Sequence, residues 1–296
     1  MLPPHIGHRQ VLLGLIGGGI QLSKSPALHE REGRRQGLDL HYELIDTELP
    51  AAAGKPLNEL LRAAEARRFV GLNITHPFKQ LVLSHLHDLS DDARMLGAVN
   101  TVALKDGHRI GHNTDWYGFY ESFHRGLPDV ERGRVLLLGA GGAGVAVAHA
   151  AIKLGIKRLE IYDQDRAKAT ALAGALTQRF RREVAIATTD PAKSLREGDG
   201  LIHATPTGMR HHPGVPIDQS WLEARHWVAD IVYMPLVTEL LKLAQQRGCR
   251  VLSGGSMAVF QAAEAFRIFT GRAADEFAME ADFLEICRQE NEAMPP

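Results

Sequence analysis

Lys79 has the setting that best suits proton transfer. It ends the segment 71–79, GLNITHPFK, which reads as a strand leading through a turn into a helix opened by Pro77. In the first helical turn, the positive end of the helix dipole disfavours an ammonium group, and partial burial would lower the lysine pKa further. A lysine tuned in this way can accept and donate a proton, whereas the alternative is an ordinary surface lysine.

Asp115 is the candidate partner of Lys79. It ends the segment 111–115, GHNTD, which again reads as a strand running into a helix start. Both residues follow the carboxyl ends of predicted strands, where open α/β sheets bind ligands, so the carboxylate could orient the lysine during oxidation of an alcohol. The alternative is a simple helix N-cap. His76 and His112 are rival bases, ranked lower because their side chains are expected to point away from the pair.

Two serines form a candidate carboxylate site. Ser23 and Ser25 follow the first predicted strand and its glycines, and in an extended turn they share one face. Two hydroxyls beside a helix N-terminus would bind a small carboxylate. In the alternative interpretation, Ser25 is only the N-cap of a helix that has Pro26 at its first position.

A glycine-rich turn points to a dinucleotide. The predicted strand 135–138, VLLL, runs into GAGGAG at 139–144 and then into an alanine-rich helix. In this G-x-G-x-x-G pattern, glycines permit a tight turn and let the backbone approach a pyrophosphate at the helix N-terminus. Taken alone, the pattern is equally consistent with a plain tight turn.

Asp163 strengthens the dinucleotide hypothesis. It lies 24 residues after Gly139, at the end of the next predicted strand. A carboxylate there can accept both ribose hydroxyls of adenosine, a contact worth roughly 1.5–3 kcal/mol, and would repel a 2′-phosphate by roughly 4 kcal/mol at 4 Å. NAD is therefore expected to bind in preference to NADP, although Arg166 and Lys168 could reach a phosphate. The alternative is a helix-capping or solvated aspartate.

Composition excludes several classes of protein. The 296 residues are 45% apolar and 23% charged, with 34 basic and 35 acidic side chains. This near balance argues against nucleic-acid and membrane-surface partners, and roughly 150 residues per domain suggests two domains. The chain has two cysteines, its histidines are scattered, and its start, MLPPH, is unlike a signal peptide. These features indicate a cytoplasmic protein without a metal site or membrane span.

Short apolar runs alternate with helical patterns along most of the chain, which predicts a doubly wound α/β architecture with parallel sheets. Asp106-Gly107 suits the type I′ turn of a hairpin between 98–104 and 109–113. Other strands are predicted at 11–16, 41–45, 69–75, 134–139, 158–163, 184–187, 201–204 and 228–233. Helices are predicted at 57–68, 116–125, 142–154, 166–179, 236–247, 257–270 and 276–289, with another from Pro26 to Gly37.

These segments together resemble the shikimate dehydrogenase family over almost the full length of the chain. The matching blocks stand in order and at sensible spacing, which makes coincidence a poor explanation. They are SKSPALH at 23–29, GLNITHPFK at 71–79, GAVNT at 97–101, GHNTD at 111–115, GAGGA at 139–143, ATPTGM at 204–209, DIVYMP at 230–235 and MAVFQ at 257–261.

The resemblance implies two α/β domains: a substrate-binding and catalytic domain, 1–118 with 256–296, and a Rossmann NAD(P)-binding domain, 119–255. It implies that Lys79 and Asp115 are the catalytic pair. The implied substrate-binding residues are Ser23 and Ser25 for a carboxylate, Thr75, Lys79, Asn100, Asp115 and Gln261 for ring hydroxyls, and Tyr233. The implied cofactor-binding residues are Ala140, Gly141, Gly142, Ala143, Asp163, Lys168, Pro206, Val232 and Gly254.

One departure from the family pattern bears on the cofactor. NADP-dependent members usually carry Asn-Arg-Thr after the second Rossmann strand, whereas this chain reads DQDR at 163–166. The change resembles the NAD-dependent quinate/shikimate dehydrogenases, as do the segments 203–206 and 227–235. A second departure, SGGSM at 253–257 in place of Asp-Gly-x-Gly-Met, falls in a loop that borders the nicotinamide in the family.

The expected function is therefore reversible hydride transfer from a ring hydroxyl of shikimate or quinate to NAD, in quinate metabolism or the shikimate pathway. NADP remains a possible cofactor, and the expected assembly is a monomer or a homodimer. Two alternatives stay open. One is an NADP-dependent biosynthetic shikimate dehydrogenase, and the other is a non-catalytic paralogue that binds cofactor for regulation.

Overall fold

The computed structural model describes residues 10–293. The segment on which the expectation about a signal peptide depends lies outside these residues. The chain divides into two compact units, Met1–Thr114 with Ala262–Pro296 and Asp115–Gln261. Each unit is built around its own sheet, which confirms the two-sheet α/β architecture.

The first unit combines one sheet with helices and a 3₁₀ turn at Val82–His85. Its strands are β1 (Val11–Gly17), β2 (Leu40–Asp46), β3 (Gly71–Ile74), β4 (Asp88–Leu89), β5 (Thr101–Lys105) and β6 (His108–His112). Its helices are α1 (Ser25–Arg35), α2 (Leu57–Ala66), α3 (Phe78–Leu81), α4 (Asp91–Leu96) and α11 (Glu276–Ala293).

The first sheet has the order β2-β1-β3-β5-β6-β4. β1 is parallel to β2 and β3, but β5 is antiparallel to both β3 and β6, so this sheet is mixed. The reason is the predicted hairpin. Asp106 and Gly107 both have positive φ, 51° and 78°, as a type I′ turn requires.

The two faces of β1 are buried in different clusters, as the alternation of side chains along a strand demands. Leu13 and Leu15 pack in one cluster with Phe266, which lies in the C-terminal segment of this unit, residues 262–296. Ile16 packs in another with Leu61 of α2. The C-terminal segment is also tied to α1, because Arg31 forms ion pairs with Asp282 and Glu285 of α11 at 3.1 and 2.8 Å.

Asp46, at the end of β2, holds the turn that follows β1. Its Oδ1 accepts hydrogen bonds from the N–H groups of Gly19 and Glu48, both at 3.0 Å. Its Oδ2 accepts from the Ile20 N–H at 3.1 Å and from Gln21 Nε2 at 3.0 Å. Burial alone would raise the pKa of Asp46, but the hydrogen bonds to the ionised carboxylate outweigh it and hold the pKa below its usual range.

The second unit contains strands β7 (Arg134–Leu138), β8 (Arg158–Tyr162), β9 (Ala185–Ala187), β10 (Gly200–His203), β11 (Trp227–Asp230) and β12 (Arg250–Ser253). Its helices are α5 (Asp115–Gly126), α6 (Gly142–Lys153), α7 (Arg166–Phe180), α8 (Pro191–Arg196) and α9 (Glu239–Gln246), with a 3₁₀ turn at Gln219–Trp221. Helix α10 (Gly254–Thr270) begins in this unit and continues into the first.

The second sheet is parallel throughout, with the order β12-β11-β10-β7-β8-β9. This is the strand order of a Rossmann fold, in which the order reverses between β7 and β10. Both faces are buried, because Leu137 and Ile202 pack in one apolar cluster while Leu136 and Leu201 pack in another. No helix in the described part of the chain is long and apolar enough to cross a membrane.

Close packing of β10 against β11 requires a glycine at position 200. A Cβ there would lie 2.2 Å from Cε2 of Trp227, its register partner. That indole cannot move easily, because its Nε1 donates to the Glu131 carbonyl at 2.8 Å and its ring meets Phe123 edge-on. We expect Gly200→Ala to lower the free energy of unfolding by about 1–3 kcal/mol, measured by thermal or denaturant unfolding.

Gly174 provides the matched control for this prediction. It lies within α7, and a Cβ there meets no other heavy atom within 4 Å. Gly174→Ala should raise stability by about 0.5–1 kcal/mol, because alanine loses less backbone entropy in a helix. Equal effects of the two substitutions would contradict the assigned role of Gly200.

The four hydrogen bonds to Asp46 predict a pH-dependent contribution to stability. Because the pKa in the folded state lies below the unfolded value of about 3.9, the contribution is complete above that pH and is lost as the pH falls through the folded-state pKa. We expect Asp46→Asn to destabilise the protein by about 1–2 kcal/mol at neutral pH, with the difference shrinking below about pH 4.

Unfolding curves of the wild type and the Asp46→Asn variant from pH 3 to 7 provide the measurement. Asp39→Asn is the control, because 51% of that side chain is exposed. It should change stability by less than about 0.5 kcal/mol at any pH. A difference for Asp46→Asn that does not vary with pH would rule out a role for the ionised carboxylate.

Candidate functional site

The predicted substrate residues of the first unit lie at one edge of its sheet. The carboxyl ends of β1 and β3 reach this edge, as do the start of β5 and the end of β6, because β5 is antiparallel to both of its neighbours. The segments that leave or enter the sheet here carry five predicted site residues. They are Ser23, Ser25, Thr75, Lys79 and Asn100.

Thr75 and Lys79 follow β3 directly. The Thr75 N–H donates to the Ile16 carbonyl at 3.0 Å, which keeps Thr75 beside the end of β1. Lys79 is half-buried and is the second residue of α3, within the first helical turn as predicted. Its carbonyl accepts from the Val99 N–H at 2.8 Å, so the main chain at Lys79 is joined to the segment that carries Asn100.

The orientation of the Asn100 side chain is defined by its neighbours. Its Oδ1 accepts from the Thr114 N–H at 2.7 Å and from the Thr101 hydroxyl at 3.0 Å, while its Nδ2 donates to Thr114 Oγ1 at 2.9 Å. The residue is 4% exposed. These bonds fix the Asn100 side chain, whose donor and acceptor atoms suit recognition of a hydroxyl.

Ser25 begins α1, so the interpretation of Ser25 as an N-cap is wrong. The capping position belongs to Lys24, whose side chain makes no capping hydrogen bond. The Ser25 N–H donates to Ser23 Oγ at 3.3 Å, which places the two serines together. The Ser25 hydroxyl instead hydrogen bonds to the side chain of Tyr42, a residue that the sequence analysis did not single out.

Tyr42 connects the serines to Asn100. Its hydroxyl donates to Asn73 Oδ1 at 2.8 Å, and Asn73 Nδ2 donates to the Asn100 carbonyl at 3.2 Å and to Thr101 Oγ1 at 3.0 Å. Burial raises the pKa of Tyr42, so the phenol stays protonated and remains a donor. The alternation of β2 could have indicated that Tyr42 is buried, but it carries no signal of this pairing.

The rival histidines have different surroundings. His76 is exposed. His112 is half-buried at the end of β6, and burial lowers its pKa below the usual value of 6.5, although Glu264 opposes the shift. Its ring is therefore neutral at neutral pH.

Asp115 and Gln261 belong to the second unit, where their helices pack closely. A Cβ at Gly118, one turn after Asp115 in α5, would lie 2.5 Å from the Met257 carbonyl and 2.9 Å from Gln261 Cβ in α10. Asp115 is 9% exposed, and it is the first residue of α5. Tyr233 is half-buried in the segment that follows β11.

The predicted cofactor residues gather at the carboxyl edge of the second sheet. The glycine-rich turn follows β7, Asp163 follows β8, Pro206 follows β10, Val232 follows β11 and Gly254 follows β12. Since these strands are parallel neighbours, their carboxyl ends meet along one edge. This edge includes the point where the strand order reverses, at which doubly wound sheets bind ligands.

The four glycines between positions 139 and 144 have distinct surroundings. Gly139 has a φ of +100°, and a Cβ there would lie 2.5 Å from the Ala204 carbonyl oxygen. A Cβ at Gly144 would lie 2.2 Å from the Gly139 oxygen. Gly141 and Gly142 face open space, and both are exposed. The N-terminus of α6 thus offers unpaired helical N–H groups beside room for a pyrophosphate.

Asp163 is held against this turn. Its Oδ2 accepts from the Ala140 N–H at 2.7 Å, and its Oδ1 accepts from the Asp165 N–H at 2.8 Å. The alternative in which Asp163 is a helix cap is wrong, because Asp165 caps α7 by accepting from the Ala167 N–H at 3.0 Å. Lys168 is exposed and lies 3.8 Å from the Asp165 carboxylate.

Gly254, the first residue of α10, allows the start of that helix to approach the end of β11. A Cβ at position 254 would lie 2.2 Å from the Ile231 carbonyl oxygen and 2.9 Å from that of Val232. Val232 is buried. The segment that departs from the family pattern therefore packs tightly here. Among the described residues, no group of three or more His, Cys, Asp or Glu side chains could hold a metal ion.

Known protein families match segments of both units. Residues 15–102 match the family model of the shikimate dehydrogenase substrate binding domain, and residues 117–174 match the ThiF family. A shikimate dehydrogenase (NADP(+)) of Streptomyces avermitilis is 53% identical over 93% of this chain and 95% of its own. A quinate/shikimate dehydrogenase (NAD(+)) of Corynebacterium efficiens is 47% identical, over 95% and 100% of the two chains.

A solved structure shares the fold. Quinate dehydrogenase from Corynebacterium glutamicum in complex with NAD superposes with a TM-score of 0.89 at 45% identity, covering 94% of this chain and 100% of that one. At such identity and coverage, the predicted family membership is confirmed. The chain belongs to the shikimate dehydrogenase family.

Proposed function

We propose that the protein is an NAD-dependent quinate/shikimate dehydrogenase, an oxidoreductase that reversibly oxidises a ring hydroxyl of shikimate, quinate or both to the 3-dehydro acid. The observation that carries the proposal is the Asp163 carboxylate. It is anchored by the Ala140 N–H at 2.7 Å beside the open glycines of a Rossmann turn.

Asp163 is the basis for preferring NAD. Each carboxylate oxygen accepts one backbone N–H, which leaves further lone pairs for the ribose hydroxyls of adenosine. A 2′-phosphate in the same place would be repelled by Asp163 and also by Asp165, at roughly 4 kcal/mol for one such pair at 4 Å. Lys168 offers a phosphate little help, because its ammonium group lies near Asp165. NADP thus remains a possible but weaker cofactor.

The other proposed cofactor contacts follow from the same edge of the sheet. Exposed glycines let the backbone approach the pyrophosphate. The segments that follow β10, β11 and β12 would contact the rest of the dinucleotide. Bound nicotinamide supplies the hydride acceptor. The proposed contacts are Ala140, Gly141, Gly142, Ala143, Asp163, Lys168, Pro206, Val232 and Gly254.

We assign substrate binding and catalysis to the domain formed by residues 1–118 and 256–296, and cofactor binding to residues 119–255. Ser23 and Ser25 would hold the substrate carboxylate, because the Ser25 N–H donates to Ser23 Oγ and keeps the two residues together at the start of α1. The Asn100 side chain, held in place by Thr114, suits a ring hydroxyl. The remaining proposed contacts are Thr75, Lys79, Asp115, Tyr233 and Gln261.

In this proposal Lys79 accepts the hydroxyl proton as hydride leaves the ring carbon. Its half-buried place after β3 lets the main chain fix its position through the Val99 N–H at 2.8 Å. In the same proposal the Asp115 carboxylate orients Lys79 and accepts a hydrogen bond from a neighbouring ring hydroxyl. Positioning and general base catalysis would together supply the rate acceleration.

The wider setting belongs to the same proposal. Both cysteines, Cys249 and Cys287, are buried thiols, which suits a reducing compartment, and we infer a cytoplasmic enzyme. Its partners would be small molecules, and its assembly would be a monomer or a homodimer.

A matrix of NAD and NADP against shikimate and quinate tests the function and the cofactor together. The wild type should reduce NAD with at least one acid at a higher kcat/KM than NADP, followed by absorbance of the reduced nicotinamide. Asp163→Asn should shift the NADP-to-NAD ratio of kcat/KM upward by at least about tenfold, because it removes one negative charge. Asp129→Asn, at an exposed position, should leave the ratio unchanged.

Other outcomes of this matrix decide between the alternatives. Preference of the wild type for NADP would support a biosynthetic NADP-dependent shikimate dehydrogenase. Absence of reduction with every combination would support a non-catalytic paralogue that only binds cofactor.

Replacement of Lys79 tests the proton acceptor. We expect Lys79→Met to lower kcat by about 10²–10⁴-fold, because general base catalysis is lost, while KM for the acid changes by less than about tenfold. Lys55→Met, at an exposed position, is the control and should retain the wild-type kcat. A Lys79→Met enzyme with unchanged kcat would move the role of base to another group.

A further inference from the structure

His203 connects two segments that leave the second sheet. It ends β10, and its register partner Asp230 ends the adjacent parallel strand β11. Both side chains are completely buried. His203 Nδ1 lies 2.8 Å from Asp230 Oδ1, and Nε2 lies 2.5 Å from the hydroxyl of Thr205, two residues further along the chain.

The groups that His203 contacts are themselves bound to the backbone of both segments. Asp230 Oδ1 accepts from the Val232 N–H at 3.0 Å, and Oδ2 accepts from the Thr238 hydroxyl at 2.6 Å. Thr205 Oγ1 accepts from the Thr207 N–H at 3.3 Å. One imidazole thus links the segment after β10 to the segment after β11.

The donors and acceptors in this network have only one consistent arrangement for a neutral ring. The Asp230 carboxylate can only accept, so His203 Nδ1 carries the hydrogen and donates it. His203 Nε2 is then an acceptor, and the Thr205 hydroxyl, which already accepts from Thr207, donates to it. Each bond requires the orientation of the next, so the two segments are held in one conformation.

The linked segments are those that would hold the cofactor. Pro206 lies between Thr205 and Thr207, and Val232 is bound directly to Asp230. Ala204, next to His203, approaches the glycine-rich turn so closely that a Cβ at Gly139 would lie 2.5 Å from its carbonyl oxygen. A shift at His203 would therefore change the cofactor edge at several points.

We propose that His203 is a positioning residue for the dinucleotide: through Thr205 and Asp230 it fixes the Pro206 and Val232 segments in the geometry that binds NAD. This inference rests on the proposed function, because it assumes that these segments hold a dinucleotide. His203 itself is buried beneath them, so it acts through its neighbours.

Variants of Thr205 provide the cleanest test, because this residue is only half-buried and its replacement leaves the core intact. Thr205→Val removes the hydroxyl at nearly constant shape, and Thr205→Ser restores it. His203→Asn is the second variant, and Thr177→Val, on α7, is the control. NADH binding is measured by nucleotide fluorescence, and KM for NAD and for shikimate or quinate is measured separately.

We expect Thr205→Val and His203→Asn to raise the NADH dissociation constant and KM for NAD by about three- to tenfold, the effect of one lost hydrogen bond. For Thr205→Val, KM for the acid should stay within about twofold, because Thr205 acts on the Pro206 segment, which carries none of the proposed substrate contacts. Thr205→Ser and Thr177→Val should bind NADH like the wild type. A structural defect alone would not separate the two KM values in this way.

Two results would overturn the inference. One is wild-type affinity for NADH in both Thr205→Val and His203→Asn. The other is a parallel rise of both KM values in Thr205→Val, which would indicate general damage. In each case the wild-type enzyme would still bind and reduce NAD, so the proposed function would survive. A wild type that does not bind NADH would overturn the proposed function and this inference with it.

Discussion

The close approach of the turn after β7 to the end of β10 is the constraint on which the second unit depends. Gly139 leaves the strand at a φ of +100°, a conformation that side chains rarely adopt, and Ala204 fills the space where a Cβ would stand. This contact brings the N-terminus of α6 to the point where the strand order reverses. The same tight turn places the Ala140 N–H where it donates to Asp163 Oδ2.

The first unit depends instead on hydrogen bonds between side chains at its polar edge. The directions of these hydrogen bonds agree. The Asn100 carbonyl orients the Asn73 amide, which leaves Asn73 Oδ1 to accept from Tyr42, and Tyr42 in turn meets Ser25. Buried networks of this kind are stable only when every member is satisfied. The arrangement therefore favours a single conformation of the edge before any ligand arrives.

Sequence patterns predicted the elements that are long or buried on both faces, such as β7 and α7. They missed β12, which is half-exposed at the sheet edge, and α8, which spans only Pro191–Arg196. A local pattern also gave a wrong prediction, because a serine before a proline is typical of an N-cap. The Ser25 hydroxyl instead hydrogen bonds to Tyr42, which is distant in the sequence. The pairing of His203 with Asp230 depends on strand register, which spacing along the chain does not reveal.

The discontinuity of the first unit has a consequence for biosynthesis. The part of this unit that precedes residue 115 packs against Phe266 and forms ion pairs with α11, residues that leave the ribosome after the second unit, whereas the second unit is one continuous stretch. The middle of the chain can therefore complete its core during translation. The residues that precede it keep apolar surface exposed until residues after 261 have been synthesised. The first unit thus begins to leave the ribosome before the second unit, but its core can close only after the second unit has been released.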